Sequence, residues 1–150
     1  MEAFCYHEVM SSNMLQLELH VDNFESVEEY YGALGFKKVW KRNPDGFKGY
    51  LVLEMNGNTL CFWAGNEHVY EQEYFQQFPK TTPRGYGVEI VIMVPDVEVF
   101  YELHQNSANV VEPLKFQPWG MKDFRAVDPA GFYLRFTSEH DVHNPANAVE

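Results

Sequence analysis

The chain has 150 residues, the length of one compact unit or of two small repeats sharing a core, and too short for two independent domains. Hydrophobic residues make up 45% and aromatic residues 16%, ample for a core, and no apolar run reaches the length of a membrane span. A net charge of -11 argues against nucleic acid as a ligand, because phosphate contacts need clustered Lys and Arg; a neutral or cationic partner fits better.

The opening MEAFCYHEVM is acidic and lacks both a basic leader and a long apolar segment, so a soluble, cytoplasmic protein is expected. Cys5 and Cys61 have no CxxC spacing and are expected as reduced thiols without a catalytic role. Residues 14–21, MLQLELHV, alternate strictly, with Leu15, Leu17, Leu19 and Val21 on one face and Gln16, Glu18 and His20 on the other, which predicts a strand with a polar face. From Asn23 the period becomes helical, with Phe24, Val27, Tyr31 and Leu34 on one stripe, acidic residues near the N-terminal end, and Gly35 as the stop. Strands are predicted over 37–42, 50–55 and 59–64, the last two joined by an Asn56-Gly57 hairpin turn.

Residues 66–86 interrupt this pattern with a polar connection rich in aromatics that ends in Pro79, Pro83 and Gly85. A short helix over 69–78, with Tyr70, Tyr74 and Phe78 packed on the body, is expected there as part of a linker that covers a site. Alternation returns with Val88, Ile90, Ile92 and Val94, and a helix over about 96–106 carries Val97, Phe100 and Leu103 on its stripe. In the closing segment EPLKFQPWGMKDFRAVDPAGFYLRF, Phe124, Ala126, Leu134 and Phe136 oppose Arg125, Tyr133, Arg135 and Thr137 in parity. Asp128-Pro129-Ala130-Gly131 supplies a turn, and Pro118-Trp119-Gly120 presents an indole from a loop.

Sliding the first half by 73 residues places Gln16 on Glu89, Val21 on Val94 and Phe24 on Val97. The chain therefore reads as a duplicated βαβββ unit: repeat one about 14–65, a linker about 66–86, repeat two about 87–138 and a tail 139–150, all in one domain. The expected class is α+β, with open, curved mixed sheets whose polar faces enclose a cleft.

The paired βαβββ units resemble the vicinal oxygen chelate superfamily of glyoxalases, extradiol dioxygenases, fosfomycin-resistance enzymes and bleomycin-binding proteins. Within it, QPWGMKDFRAVDPAGFYLRF is most similar to the bleomycin resistance proteins, whose corresponding loop and turn carry the same QPWG and DPAG words. The resemblance implies four metal-ligand positions, which fall on Gln16, approximately Cys61, Glu89 and Arg135. A guanidinium does not ligate a cation and repels it, so no metal and no cofactor are expected. An Arg135–Glu89 ion pair is the other use of those side chains.

The resemblance also implies a non-catalytic binder of an aromatic, cationic compound such as a bleomycin-type antibiotic, acting as a homodimer. Trp119 matches the family's stacking Trp, Phe47 is the approximate counterpart of an aromatic stacking from the other side, and Trp63 adds a wall. Gln16, Glu18, His20, Glu89 and Arg135 complete the expected ligand site, and no residue is assigned a catalytic role. The alternative is a metal-dependent lyase, transferase or dioxygenase using Gln16 and Glu89 with a further ligand.

Overall fold

The structure, a computed structural model, describes residues 15–144, so Met14, Cys5 and the end of the tail lie outside it. Alternating residues form β1 (Glu18–Val21), which is shorter than expected, and the helical stripe forms α1 (Phe24–Ala33). Then come β2 (Lys37–Arg42), β3 (Gly49–Met55) and β4 (Asn58–Ala64). The second unit comprises β5 (Ile90–Val94), α3 (Val97–His104), β6 (Val110–Phe116), β7 (Lys122–Val127) and β8 (Tyr133–Ser138). Two open, mixed four-stranded sheets result, ordered β1-β4-β3-β2 and β5-β8-β7-β6, in each of which the first neighbours are parallel and the others antiparallel.

The duplication is visible in the caps. Asn23 Oδ1 accepts from Ser26 N at 3.0 Å, and 73 residues later Asp96 Oδ1 accepts from Glu98 N and Val99 N at 3.0 and 3.1 Å. Each cap satisfies amides that a helix end leaves unpaired, worth about 1 kcal/mol. The starts of β2 and β6, and of β3 and β7, keep the same offset. Glu18 pairs with Cys61 and Val91 pairs with Arg135, which makes Cys61 the counterpart of Arg135.

Phe24, Val27, Tyr31 and Leu34 are buried as their stripe requires, and so are Val97 and Phe100. Leu103 departs from expectation, being 72% exposed. At 100° per residue, His104 and not Leu103 returns to the azimuth of Val97. The His104 ring accordingly packs 4.4 Å from that of Phe100. Val88 precedes β5 and is exposed.

The apolar faces of both sheets, with the stripes of α1 and α3, merge into one core. Polar bonds cross between the repeats beside it: Tyr30 donates to the Ala108 carbonyl at 2.6 Å, Tyr31 to Asp128 Oδ2 at 2.8 Å, and Asn58 Nδ2 to the Met93 carbonyl at 2.8 Å. Each polar face lies on the side of its sheet remote from this core. Among the described residues, no hydrogen bond, ion pair or ring contact joins one polar face to the other, so each is open rather than closed against its counterpart in the same chain.

Both predicted turns form. Asn56 and Gly57 have φ of 50° and 79°, as a two-residue hairpin of the mirror-image type needs. Asp128 Oδ1 accepts from Ala130 N at 2.9 Å and Phe132 N at 2.8 Å, closing the DPAG turn.

The expected helix over 69–78 does not form. A 3-10 turn (Glu67–Tyr70) and the single-turn α2 (Glu73–Gln76) replace it. Asn66 starts the first by accepting from His68 N at 2.9 Å, and extended Gln72 separates the two, which breaks the Tyr70–Tyr74–Phe78 stripe. Tyr74, Phe75 and Phe78 are all exposed, and Phe75, off that stripe, reaches the body through its edge-on contact with His20.

Candidate functional site

On the first polar face, the strand register sets Glu18 beside Cys61, and His20 and Tyr50 beside Trp63. Gln16 Nε2 donates to the Tyr50 hydroxyl at 2.5 Å, which donates to Glu18 Oε2 at 2.9 Å. Burial, with hydrogen bonding to Cys61 and Glu18, holds the Tyr50 hydroxyl well above the usual phenol range, so it remains a donor. Trp40 stacks on Tyr50 at 5.2 Å. Trp63 is buried in a small apolar cluster with Ala64 and Val69, 5.0 Å from the His20 ring and under the Lys48 ammonium at 5.3 Å. It is thus a packing residue on the polar side of its sheet.

The 66–86 connection roofs the β1 end of this face and leaves a cleft of about 380 Å³. Phe75 meets His20 edge-on at 5.0 Å, Arg84 Nη1 donates to the His20 carbonyl at 2.8 Å, and Tyr70 donates to Asp22 Oδ2 at 3.0 Å. Phe132 from the second repeat closes another side. It approaches the connection at Gly85, whose φ is +67° and where a Cβ would meet the Phe132 ring at 3.0 Å. Burial lowers the His20 pKa below its ordinary value; Glu18, with Oε1 3.9 Å from Nε2, opposes that and Arg84 reinforces it. His20 Nδ1 is buried without a partner.

Sequence reading placed Glu18 and His20 here but missed Tyr70, Phe75, Lys80, Arg84 and Phe132. The available signal was that Lys80 and Arg84, the only Lys and Arg between residues 66 and 86, sit among prolines that stiffen the connection.

The second polar face gathers Glu89, Arg135 and Trp119 around two residues that were not singled out, Arg125 and Asp123. Arg125 Nε lies 2.8 Å from Glu89 Oε1, and its Nη1 lies 3.0 Å from Asp123 Oδ1 and 3.1 Å from Glu112 Oε2. The expected Arg135–Glu89 pair is the looser one, at 3.8 Å from Nε to Oε2, because Arg125 takes the closer place. Gln117 Nε2 donates to buried Asp123 at 2.7 Å and fixes the QPWG loop. Trp119 is half-buried rather than freely presented, with the Arg135 and Arg125 guanidinium carbons 5.6 and 5.8 Å from its ring centroid.

Phe47 falls in a third place. It is 69% exposed in the β2–β3 loop, where Asn66 Nδ2 donates to its carbonyl at 2.7 Å. In the same loop, His68 Nε2 meets the Gly46 carbonyl at 2.9 Å while Nδ1 meets Glu71 Oε1 at 2.5 Å. The Glu71 carboxylate and, to a smaller extent, the Gly46 carbonyl raise the His68 pKa above its ordinary value.

The four positions that the resemblance assigns to a metal divide between the two polar faces. Gln16 and Cys61 lie on the first polar face, Glu89 and Arg135 on the second. Glu89 is engaged by two guanidinium groups, and Arg135 supplies positive charge where a donor is needed. The set does not fit a divalent ion.

No family profile matches the chain, and no curated protein matches it in sequence. Solved structures do match in shape. A bleomycin resistance determinant encoded on the transposon Tn5 superposes with a TM-score of 0.61 at 18% identity, covering 86% of this chain and 99% of that one. A bleomycin-binding protein complexed with bleomycin gives a TM-score of 0.58 at 18% identity, with 85% and 99% covered. A glyoxalase-related enzyme from Fulvimarina pelagi gives 0.60 at 19% identity, with 85% and 88% covered. The chain thus has the fold of the glyoxalase/bleomycin resistance protein/dioxygenase superfamily, the vicinal oxygen chelate architecture that its QPWG and DPAG words resemble.

Proposed function

We propose that the protein binds a small aromatic compound, without transforming it, in the cleft between the first polar face and the 66–86 connection. The observation that carries this reading is the lining: Tyr70, Phe75, Phe78 and Phe132 surround the Glu18 and His20 side chains in a space of about 380 Å³. Ligand sites of about 300 to 1,000 Å³ with apolar walls and a few polar groups are the common form. A flat ring set against an aromatic side chain gains roughly 1 to 3 kcal/mol per stacked contact. A bleomycin-binding protein of similar fold is complexed with bleomycin, so a bleomycin belongs among the ligands tried.

The reading includes a homodimer. Each polar face is open, and β2 and β6 end their sheets with unpaired edges. A second copy would set Gln16 and Phe47, which the 66–86 connection leaves exposed, opposite the partner's second face, which carries Glu89, Trp119 and Arg135 on each chain.

The test is a thermal-shift screen of flat aromatic compounds, including bleomycin and phleomycin, followed by titration of any hit against wild type and Phe75→Ala. A native-state ligand raises the melting temperature, and loss of the ring should weaken binding by roughly five- to a hundredfold. Unchanged affinity in Phe75→Ala would remove the cleft from the site. A stoichiometric divalent ion in the purified protein would overturn the non-catalytic part.

A further inference from the structure

We infer that the compound held in this cleft carries an acid group, gripped by Arg84 and Lys80; the inference rests on the cleft being the ligand site. The chain as a whole is strongly acidic, yet the charged side chains lining the cleft are Lys80 and Arg84 against Glu18 alone. Lys80 Nζ and Arg84 Cζ stand 4.7 and 5.5 Å from the centroid of the same Tyr70 ring, so one aromatic side chain gathers two positive charges. Two cations beside one ring raise the local positive potential, which favours an anion in the cleft that both line.

Among the described residues, no carboxylate lies within ion-pair distance of Lys80 or Arg84. Glu18 accepts from Tyr50, and Asp22 accepts from Tyr70. Neutral His20, with its pKa lowered chiefly by burial, adds no positive charge of its own. Arg84 spends Nη1 on the His20 carbonyl at 2.8 Å and makes only a long contact from Nη2 to Tyr70 at 3.4 Å. That fixes the plane of the guanidinium and leaves further N–H donors for a carboxylate, whose two oxygens match its fork. Thr82 lines the same cleft, and Phe75, Phe78 and Phe132 offer the surface for a ring. An aromatic carboxylate satisfies both sets of groups, whereas the cationic ligand suggested by the net charge would meet Lys80 and Arg84.

Three probes with one ring system separate the possibilities: 2-naphthoate, 2-naphthylmethanol and 2-naphthylmethylammonium, titrated calorimetrically against the full chain at neutral pH. The acid should bind roughly tenfold or more tighter than the alcohol, the gain expected for hydrogen bonds to a charged group. Arg84→Gln and Lys80→Gln should bring the acid toward the alcohol and leave the alcohol unchanged. Phe75→Ala should weaken all three. Lys80 is exposed, so Lys80→Gln keeps the test available if Arg84→Gln loses the fold. Tightest binding of the ammonium compound, or an acid affinity untouched in the variants, would overturn the acid inference and leave the aromatic cleft standing. Failure of all three probes to bind would remove the cleft reading and the inference with it.

Discussion

The Asp128 carboxylate accepts two amides of its own turn and the Tyr31 hydroxyl of the other repeat while only 3% exposed. Burial raises its pKa despite those bonds, so ionisation at neutral pH is a load on the folded state that protonation would lift. Asp128→Asn keeps the acceptor for the turn and lets the Tyr31 hydroxyl accept instead of donate, and should change stability by less than about 1 kcal/mol. Asp128→Ala strands three buried groups and should cost about 3 kcal/mol or more, read from urea unfolding; equal losses in the two variants would contradict this account. For His20 the folded pKa lies below its ordinary value of 6.5, so the unfolded chain binds more protons between the two values. Its contribution is present above pH 6.5 and lost as pH falls through the folded value. His68, raised by Glu71, acts in the opposite direction, so the comparison must be internal. Wild type should lose more stability between pH 7.5 and 5.5 than His20→Gln, and parallel losses would contradict it. Trp119 rests on two guanidinium groups outside the main core. Trp119→Ala should therefore cost about 1 to 2 kcal/mol, from two cation–π contacts, and not the 3 to 5 kcal/mol typical of a core tryptophan.

The 66–86 connection is held by side chains more than by regular structure. Asn66 caps the 3-10 turn through His68 N and donates to the Phe47 carbonyl, so one amide ties the connection to the β2–β3 loop. Asn66→Ala should cost about 1 to 2 kcal/mol and speed native-state proteolytic cleavage within 66–86. An unchanged cleavage rate would show that Arg84 and Tyr70 hold the segment without it. This is also the element that sequence reading resolved least. Tyr70, Tyr74 and Phe78 have helical spacing, but periodicity is blind to the extended Gln72 that interrupts it. By contrast α1, the Asn56-Gly57 hairpin and the DPAG turn were legible because their signals are local: an apolar stripe, a residue pair suited to positive φ, and an Asp that caps its own turn. The polar faces were half legible. Parity put Glu18, His20, Arg125 and Arg135 on the correct sides, but which acid each Arg meets depends on neighbouring strands, so Glu89 was given to Arg135 when Arg125 lies closer.

With the apolar faces consumed inside one chain, the polar faces and the edge strands β1, β2, β5 and β6 are what remains for a second copy. Mass measurement at micromolar concentration should return twice the chain mass; a monomer would remove the interface part of the proposal and leave the fold untouched. The bonds from Tyr30 to Ala108 and from Tyr31 to Asp128 join halves of the sequence that are structural copies of each other. Neither copy has a private interior, since the stripes of α1 and α3 and the apolar sides of both sheets form a single cluster. The repeat is therefore a unit of description and not of cooperativity. Unfolding should follow one sigmoidal transition with coincident fluorescence and circular dichroism, and a half-chain ending near Gly65 should stay unfolded until the other half is supplied.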